Sequence, residues 1–147
     1  MDERYGDAID RMVQDFMGLT VLILAGASER LSLLGRYLRS MMSCEVLEAT
    51  TDEEASVALA ASPDLVILDV ERSPHLGVNT IEMIKKSTST AAPLPVILLA
   101  GDLRTRELGR IAGAEEVLET PPSFVALQAA VMRTLSRPTK VEAKEDE

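Results

Sequence analysis

Aromatic residues are nearly missing from this chain of 147 residues, which holds two tyrosines, two phenylalanines and no tryptophan. Its core must therefore be aliphatic, built from Leu, Val, Ile, Met and Ala. Cysteine is reduced to Cys44, which excludes an intramolecular disulfide and a cysteine-based zinc cage. Cys44 opens an apolar run and reads as a buried structural thiol, not a nucleophile. Histidine is reduced to His75, in a loop with Pro74 and Gly77, with no second histidine for a metal site or a triad. No basic patch offsets a formal net charge of −9, since Lys85-Lys86 is only a pair. A chain this acidic is repelled by nucleic acid and by anionic lipid. Apolar runs such as Val21–Ala25 are far too short to cross a bilayer. The N-terminus is acidic and lacks the apolar stretch of a signal peptide. These absences predict a cytoplasmic protein that meets neither membrane nor nucleic acid.

What is present fits one soluble globular domain, at 46% hydrophobic and 27% charged residues. Val21-Leu22-Ile23-Leu24, Val46-Leu47, Leu65-Val66-Ile67-Leu68 and Val96-Ile97-Leu98-Leu99 read as strands, with a weaker fifth at Val117-Leu118. Three of them are continuously apolar, as parallel strands covered on both faces should be. Helical patterns fill the gaps. Leu31, Leu34, Leu38 and Met41 share a helical face after Ser28, a candidate N-cap. Thr51-Asp52-Glu53-Glu54 reads as a capping box, and Val78, Ile81 and Ile84 mark a third helix with Lys85 and Lys86 near its C-terminal end. Leu108 and Ile111 mark a fourth, ended by Gly113, and Ser123 caps a fifth with the stripe Phe124, Leu127, Val131 and Leu135. Strand and helix alternate five times, which predicts an α/β domain: a doubly wound parallel sheet of flavodoxin-like (βα)5 type over residues 19–136.

Two extensions flank it. In residues 1–18, Tyr5, Ile9, Met12, Val13 and Phe16 share one face, the pattern of an amphipathic helix in search of a surface. That surface is its own domain or, in the sharper reading, a second copy or a partner. Residues 137–147 are charged with almost no apolar side chain, which predicts a disordered tail.

In doubly wound sheets, ligands and chemistry collect beyond the carboxyl ends of the strands. Here those ends read Leu24-Ala25-Gly26-Ala27-Ser28, Leu68-Asp69, Leu99-Ala100-Gly101-Asp102 and Leu118-Glu119-Thr120-Pro121-Pro122. Glu71, Glu29 and Asp102 follow in the adjoining loops. Gly26-Ala27-Ser28 has one glycine and matches neither a dinucleotide nor a P-loop fingerprint, which argues against a nucleotide- or flavin-binding enzyme.

Three stretches carry a resemblance: Pro63-Asp64-Leu65-Val66-Ile67-Leu68-Asp69 with Gly77 after it, Leu94-Pro95-Val96-Ile97-Leu98-Leu99-Ala100, and Gly113-Ala114-Glu115-Glu116-Val117-Leu118-Glu119-Thr120-Pro121. In this order and spacing the chain resembles the receiver domain of bacterial two-component response regulators, which implies the strand order 2-1-3-4-5. The resemblance implies that Asp69 occupies the phosphoacceptor position. It also implies where the family's other functional groups should stand. Two Mg²⁺-binding acids fall at Ala25 and Gly26, a hydroxyl residue at Ala100, a lysine at Thr120 and a switching aromatic at Val117. Only the aspartate matches. The Thr120–Pro121 bond corresponds to one usually cis in the family, while Pro122 departs from the family's usual aromatic.

Phosphoryl transfer depends on positioning and on neutralising charge with metal and cations. Mg²⁺ takes oxygen ligands, usually including carboxylates, and Asp69 alone is a poor site. Each missing donor costs on the order of 10²–10³ in rate. The expectation is a stand-alone pseudo-receiver: not an enzyme, holding no cofactor, and meeting a signalling partner such as a histidine kinase by protein contact. That contact would use the face of the fourth helix, fifth strand and fifth helix, which could also form a homodimer. The alternative is a phosphoacceptor in a phosphorelay, with Mg²⁺ held by Asp69 and a displaced acid such as Glu71.

Overall fold

The computed structural model describes residues 18–26, 29–71, 77–87 and 93–136. Ten elements alternate: β1 (Thr20–Ala25), α1 (Glu29–Met41), β2 (Glu45–Ala49), α2 (Asp52–Leu59), β3 (Leu65–Asp69), α3 (Val78–Ser87), β4 (Val96–Ala100), α4 (Leu103–Ala112), β5 (Glu116–Glu119) and α5 (Phe124–Ser136). All strand pairs are parallel, in the order β2-β1-β3-β4-β5 that the resemblance implies. The expected N-terminal amphipathic helix, the Ser28 cap, the His75 loop and the charged tail lie outside the described residues.

The apolar runs fold this way because both sheet faces are covered. Every residue of Val21–Ala25, Leu65–Asp69 and Val96–Ala100 is buried. Alternate side chains divide between two cores. Val21, Ile23, Ile67 and Leu99 meet Leu34 and Leu38 of α1 and Leu127 and Val131 of α5. Leu22, Leu24, Val66 and Leu98 meet Ala55 of α2 and Ile81 and Ile84 of α3 on the opposite face. Each fully buried Leu, Ile or Val stabilises the fold by roughly 1.5–3 kcal/mol before entropy is counted. The edge strands differ: β2 exposes Glu45 and Glu48, and β5 exposes Glu119. Charges on an edge discourage further strand pairing.

Helix ends follow local chemistry. Thr51 Oγ1 accepts from Glu54 N at 3.1 Å, and the Glu54 carboxylate accepts from Thr50 N and Thr50 Oγ1 at 2.8 Å each, one residue earlier than a strict capping box. Ser123 Oγ accepts from Ala126 N at 3.0 Å. Gly113 closes α4 in the left-handed region at φ 114°.

Three stripe assignments need correction. Met42 takes the core position expected for Met41, because four residues after Leu38 is the sheet-facing spacing here, and Met41 is 65% exposed. Phe124 stands half exposed at the start of α5. On α4, Leu108 and Ile111 face outward, and Ile111 is 82% exposed. The helix turns its small side to the sheet instead: Gly109 is buried, and a Cβ on it would stand 2.1 Å from Leu98 Cδ2. A bulky face there would hold α4 away from β4.

This packing makes Gly109→Ala costly, by about 1–3 kcal/mol as an overpacking change. Ile111→Ser should stay within about 0.5 kcal/mol of wild type, as exposed substitutions do. Urea midpoints of the two variants check the pair, and a costly Ile111→Ser would return that side chain to the core.

Candidate functional site

The register of the strands brings the candidate residues to one edge of the sheet. Ala25 pairs with Asp69, Asp69 with Leu99, and Ala100 with Glu119. Ala25, Gly26, Asp69, Ala100 and Thr120 thus ring the carboxyl ends of β1, β3, β4 and β5. Val117 lies deeper, beside Leu98, and packs on the α2–α3 side of the sheet. The Thr120–Pro121 bond is cis.

Asp69 is 2% exposed. Its Oδ1 accepts from the Glu71 backbone N–H at 2.9 Å, so the turn after β3 folds back onto the carboxyl. The Glu71 carboxylate reaches across to β4: a Cβ on Gly101 would lie 2.8 Å from Glu71 Oε2. Absence of a side chain at residue 101 gives that carboxylate its room.

The other weighed acids are placed differently. Asp102 is the N-cap of α4, accepting from Thr105 N and Thr105 Oγ1 at 2.7 Å each. Those bonds, the backbone one first, hold its carboxyl below the usual carboxylate range. Glu29 is exposed at the start of α1. Among the described residues, no three His, Cys, Asp or Glu gather as a metal-ligand group. Ala25 and Gly26 add no side-chain oxygen, so the donor set at Asp69 does not fit Mg²⁺ as the family's two acids would.

Cations are also displaced. Lys85 and Lys86 end α3, at the sheet edge opposite Asp69. Lys85 Nζ bonds Glu115 Oε1 and Oε2 at 2.8 and 2.7 Å and the Leu94 carbonyl at 2.9 Å. Glu115 Oε1 also accepts from Val96 N at 2.8 Å, so this cluster fastens the base of β4. One arginine does reach the upper edge, and motif reading missed it. Arg106 Nη1 donates to the Ala100 carbonyl at 2.9 Å, which also accepts from Thr120 N at 3.3 Å. The guanidinium therefore sits beside Thr120, the position that lacks a lysine. The available signal was spacing: Arg106 is one turn after the Asp102 cap, where α4 starts above the strand ends.

Two curated relatives match. The transcriptional regulatory protein CpxR of Klebsiella pneumoniae is 30% identical over 118 residues, covering 79% of this chain and 49% of that protein. The uncharacterized transcriptional regulatory protein YrkP of Bacillus subtilis is 30% identical over 105 residues, covering 70% of this chain and 44% of that one. A response regulator of Chloroflexus aurantiacus superposes with a TM-score of 0.71 at 27% identity, covering 81% of this chain and 98% of that one. This chain carries a response-regulator receiver domain. The receiver domain spans about half the length of the curated relatives it matches. No family model matches the chain. The receiver fold alone is also shared with the yeast Ssk1 receiver domain, solved with the histidine phosphotransfer protein Ypd1, at a TM-score of 0.67 and 18% identity over 81% of this chain and 90% of that one.

Asp102 generates a pH prediction for this receiver domain. A lowered folded-state pKa gives stabilisation that is present above the ordinary carboxylate range and lost as pH falls through the lowered value. Asp102→Ala should therefore cost stability at neutral pH and progressively less as the pH is lowered below the carboxylate range. Urea titrations of both proteins across that range measure it, and a gap that widens on acidification would contradict it. Gly101→Ala should be mild, within about 0.5 kcal/mol, because the Glu71 carboxylate can swing aside.

Proposed function

We propose that this receiver domain is a phosphorylation-independent protein-interaction module in signal transduction, a divergent pseudo-receiver with no catalytic output and no bound cofactor. The observation that carries the reading is the setting of Asp69. It is buried, bonded by its own turn, and ringed by Ala25, Gly26, Ala100 and Thr120, where the chemistry of an acceptor calls for acids, a hydroxyl and a lysine. A phosphoryl group there would meet neither carboxylate-held metal nor lysine, and Val117 offers no aromatic ring to report it.

Output then runs through surface contact in the cytoplasm. The partner is a signalling protein such as a histidine kinase; the yeast receiver domain that shares this fold was solved with a histidine phosphotransfer protein. The contact face is α4–β5–α5, where Leu103, Leu108 and Ile111 stand exposed among Arg104, Glu107 and Arg110. Such mixed apolar and charged surfaces suit protein partners. The net charge of −9 disfavours nucleic acid.

A second reading has its own support. Glu71 reaches Gly101 and Arg106 bonds the Ala100 carbonyl, so a displaced acid and a displaced cation stand on the sheet edge that carries Asp69. In that reading Asp69 is a phosphoacceptor in a phosphorelay, with Mg²⁺ held at a rebuilt site.

Intact-mass measurement after incubation with acetyl phosphate and Mg²⁺, alongside Asp69→Asn, decides between them. The expected result is that each protein keeps its own unmodified mass. A phosphoryl adduct on the wild type that Asp69→Asn loses would overturn the pseudo-receiver. Its yield should then fall in Glu71→Gln and Arg106→Ala.

A further inference from the structure

Exposed apolar side chains line the outside of the domain where α1 meets α5, a surface called the α1–α5 groove below. Tyr37 of α1 stacks on Phe124 of α5, with ring centroids 4.4 Å apart and planes 5° from parallel, and Tyr37 Oη donates to the Phe124 carbonyl at 3.3 Å. Leu33 and Met41 stand four residues before and after Tyr37, on the same flank of α1. They are 52% and 65% exposed. On α5, the flank that begins at Phe124 continues through Gln128 to the half-buried Met132 and Leu135. Two of the chain's four aromatic rings are thus placed at a surface in a protein that has few to bury.

The chain itself leads to this groove. Leu19 packs against the α1–α5 core, and its carbonyl accepts from Glu45 N at 2.8 Å, just beyond the end of α1. The described chain therefore begins near the end of α1 where Met41 lies. The exposed apolar side chains of α4 lie over the opposite sheet face, because Gly109 packs on Leu98 there. We propose that residues 2–17 seat as an amphipathic helix in cis in the α1–α5 groove.

Spacing, length and charge agree. Going back from Gly18, Phe16, Met12 and Ile9 follow one another by four and three residues, matching Met41, Tyr37 and Leu33 at intervals of four. The segment runs parallel to α1. Sixteen helical residues extend about 24 Å, against about 12 Å from Leu33 to Met41, so the helix covers the whole stripe. Residues 2–17 carry five acids and two arginines, whereas α1 carries three arginines and one glutamate. Arg39 is bonded to Glu48 at 2.9 Å, and Arg36 lies exposed on the outer side. Net opposite charge favours this pairing over one between two acidic segments from different copies.

Engineered cysteine pairs in the full chain test the placement, since a disulfide forms only when Cα atoms come within about 7 Å. The native Cys44 is buried and does not interfere. Ile9→Cys with Leu33→Cys should oxidise to an intramolecular disulfide, read as a faster-migrating monomer on a non-reducing gel. Ile9→Cys with Ile111→Cys should not. Disulfide-linked dimers in the first pair would make a second copy the occupant and overturn the proposal. So would equal cross-linking in both pairs, or none in either. Independently, Ile9→Asp with Val13→Asp should raise binding of an apolar-surface dye while leaving the urea transition cooperative. Unchanged dye binding would mean that the segment does not cover the groove.

Discussion

Two-sided burial of β1, β3 and β4 is the constraint on which the rest of this domain depends. It turns fifteen consecutive-run positions into dry ones, and among them Asp69 alone carries an ionisable side chain. A buried carboxyl is costly unless hydrogen bonds replace the water it has lost. The chain meets this locally, by folding Glu71 N–H back onto Oδ1. Among the described residues no buried side-chain nitrogen or oxygen lacks a partner. The turn after β3 thus supplies one of the bonds that stabilise the buried carboxyl.

Charge elsewhere serves placement. Arg39–Glu48 ties α1 to β2, Arg133–Glu116 ties α5 to β5, and Lys85–Glu115 fastens α3 below β4. Both arginines are about half exposed, and such surface pairs contribute at most about 1 kcal/mol each. Their effect is to orient helices over edge strands that have few apolar side chains to do so. Lysine is thereby drawn to the wrong end of the sheet for phosphoryl chemistry, while Arg106 takes the upper edge through the Ala100 carbonyl. Small residues have a comparable role in shape. Gly109 lets α4 lie close on Leu98 and sends Leu108 and Ile111 outward, so one glycine creates both a tight interior contact and an apolar exterior.

The parallel sheet covered on both faces and the burial of Cys44 were legible in the sequence, because continuous apolar runs of strand length fit strands buried from both sides. The order of the strands was legible only through the resemblance to receiver domains. The identity of residues at each strand end was equally legible, since a strand's last residue follows from where its apolar run stops. Which helical face meets the sheet was less so. Leu108, Ile111, Met41 and Phe124 look like core side chains by type, and hydrophobicity cannot express that Gly109 and Met42 fit the sheet better.

The sequence by itself determined the architecture and the chemistry available at Asp69, since both depend on local composition and on run length. Only the tertiary structure decided what stands next to what. It put Glu71 over Gly101, Arg106 beside Thr120, Lys85 at the far edge and Tyr37 against Phe124. Those contacts join residues from 14 to 87 positions apart, or set one flank of a helix against another. Such distances are fixed by packing of the whole sheet, to which no local pattern of residues has access.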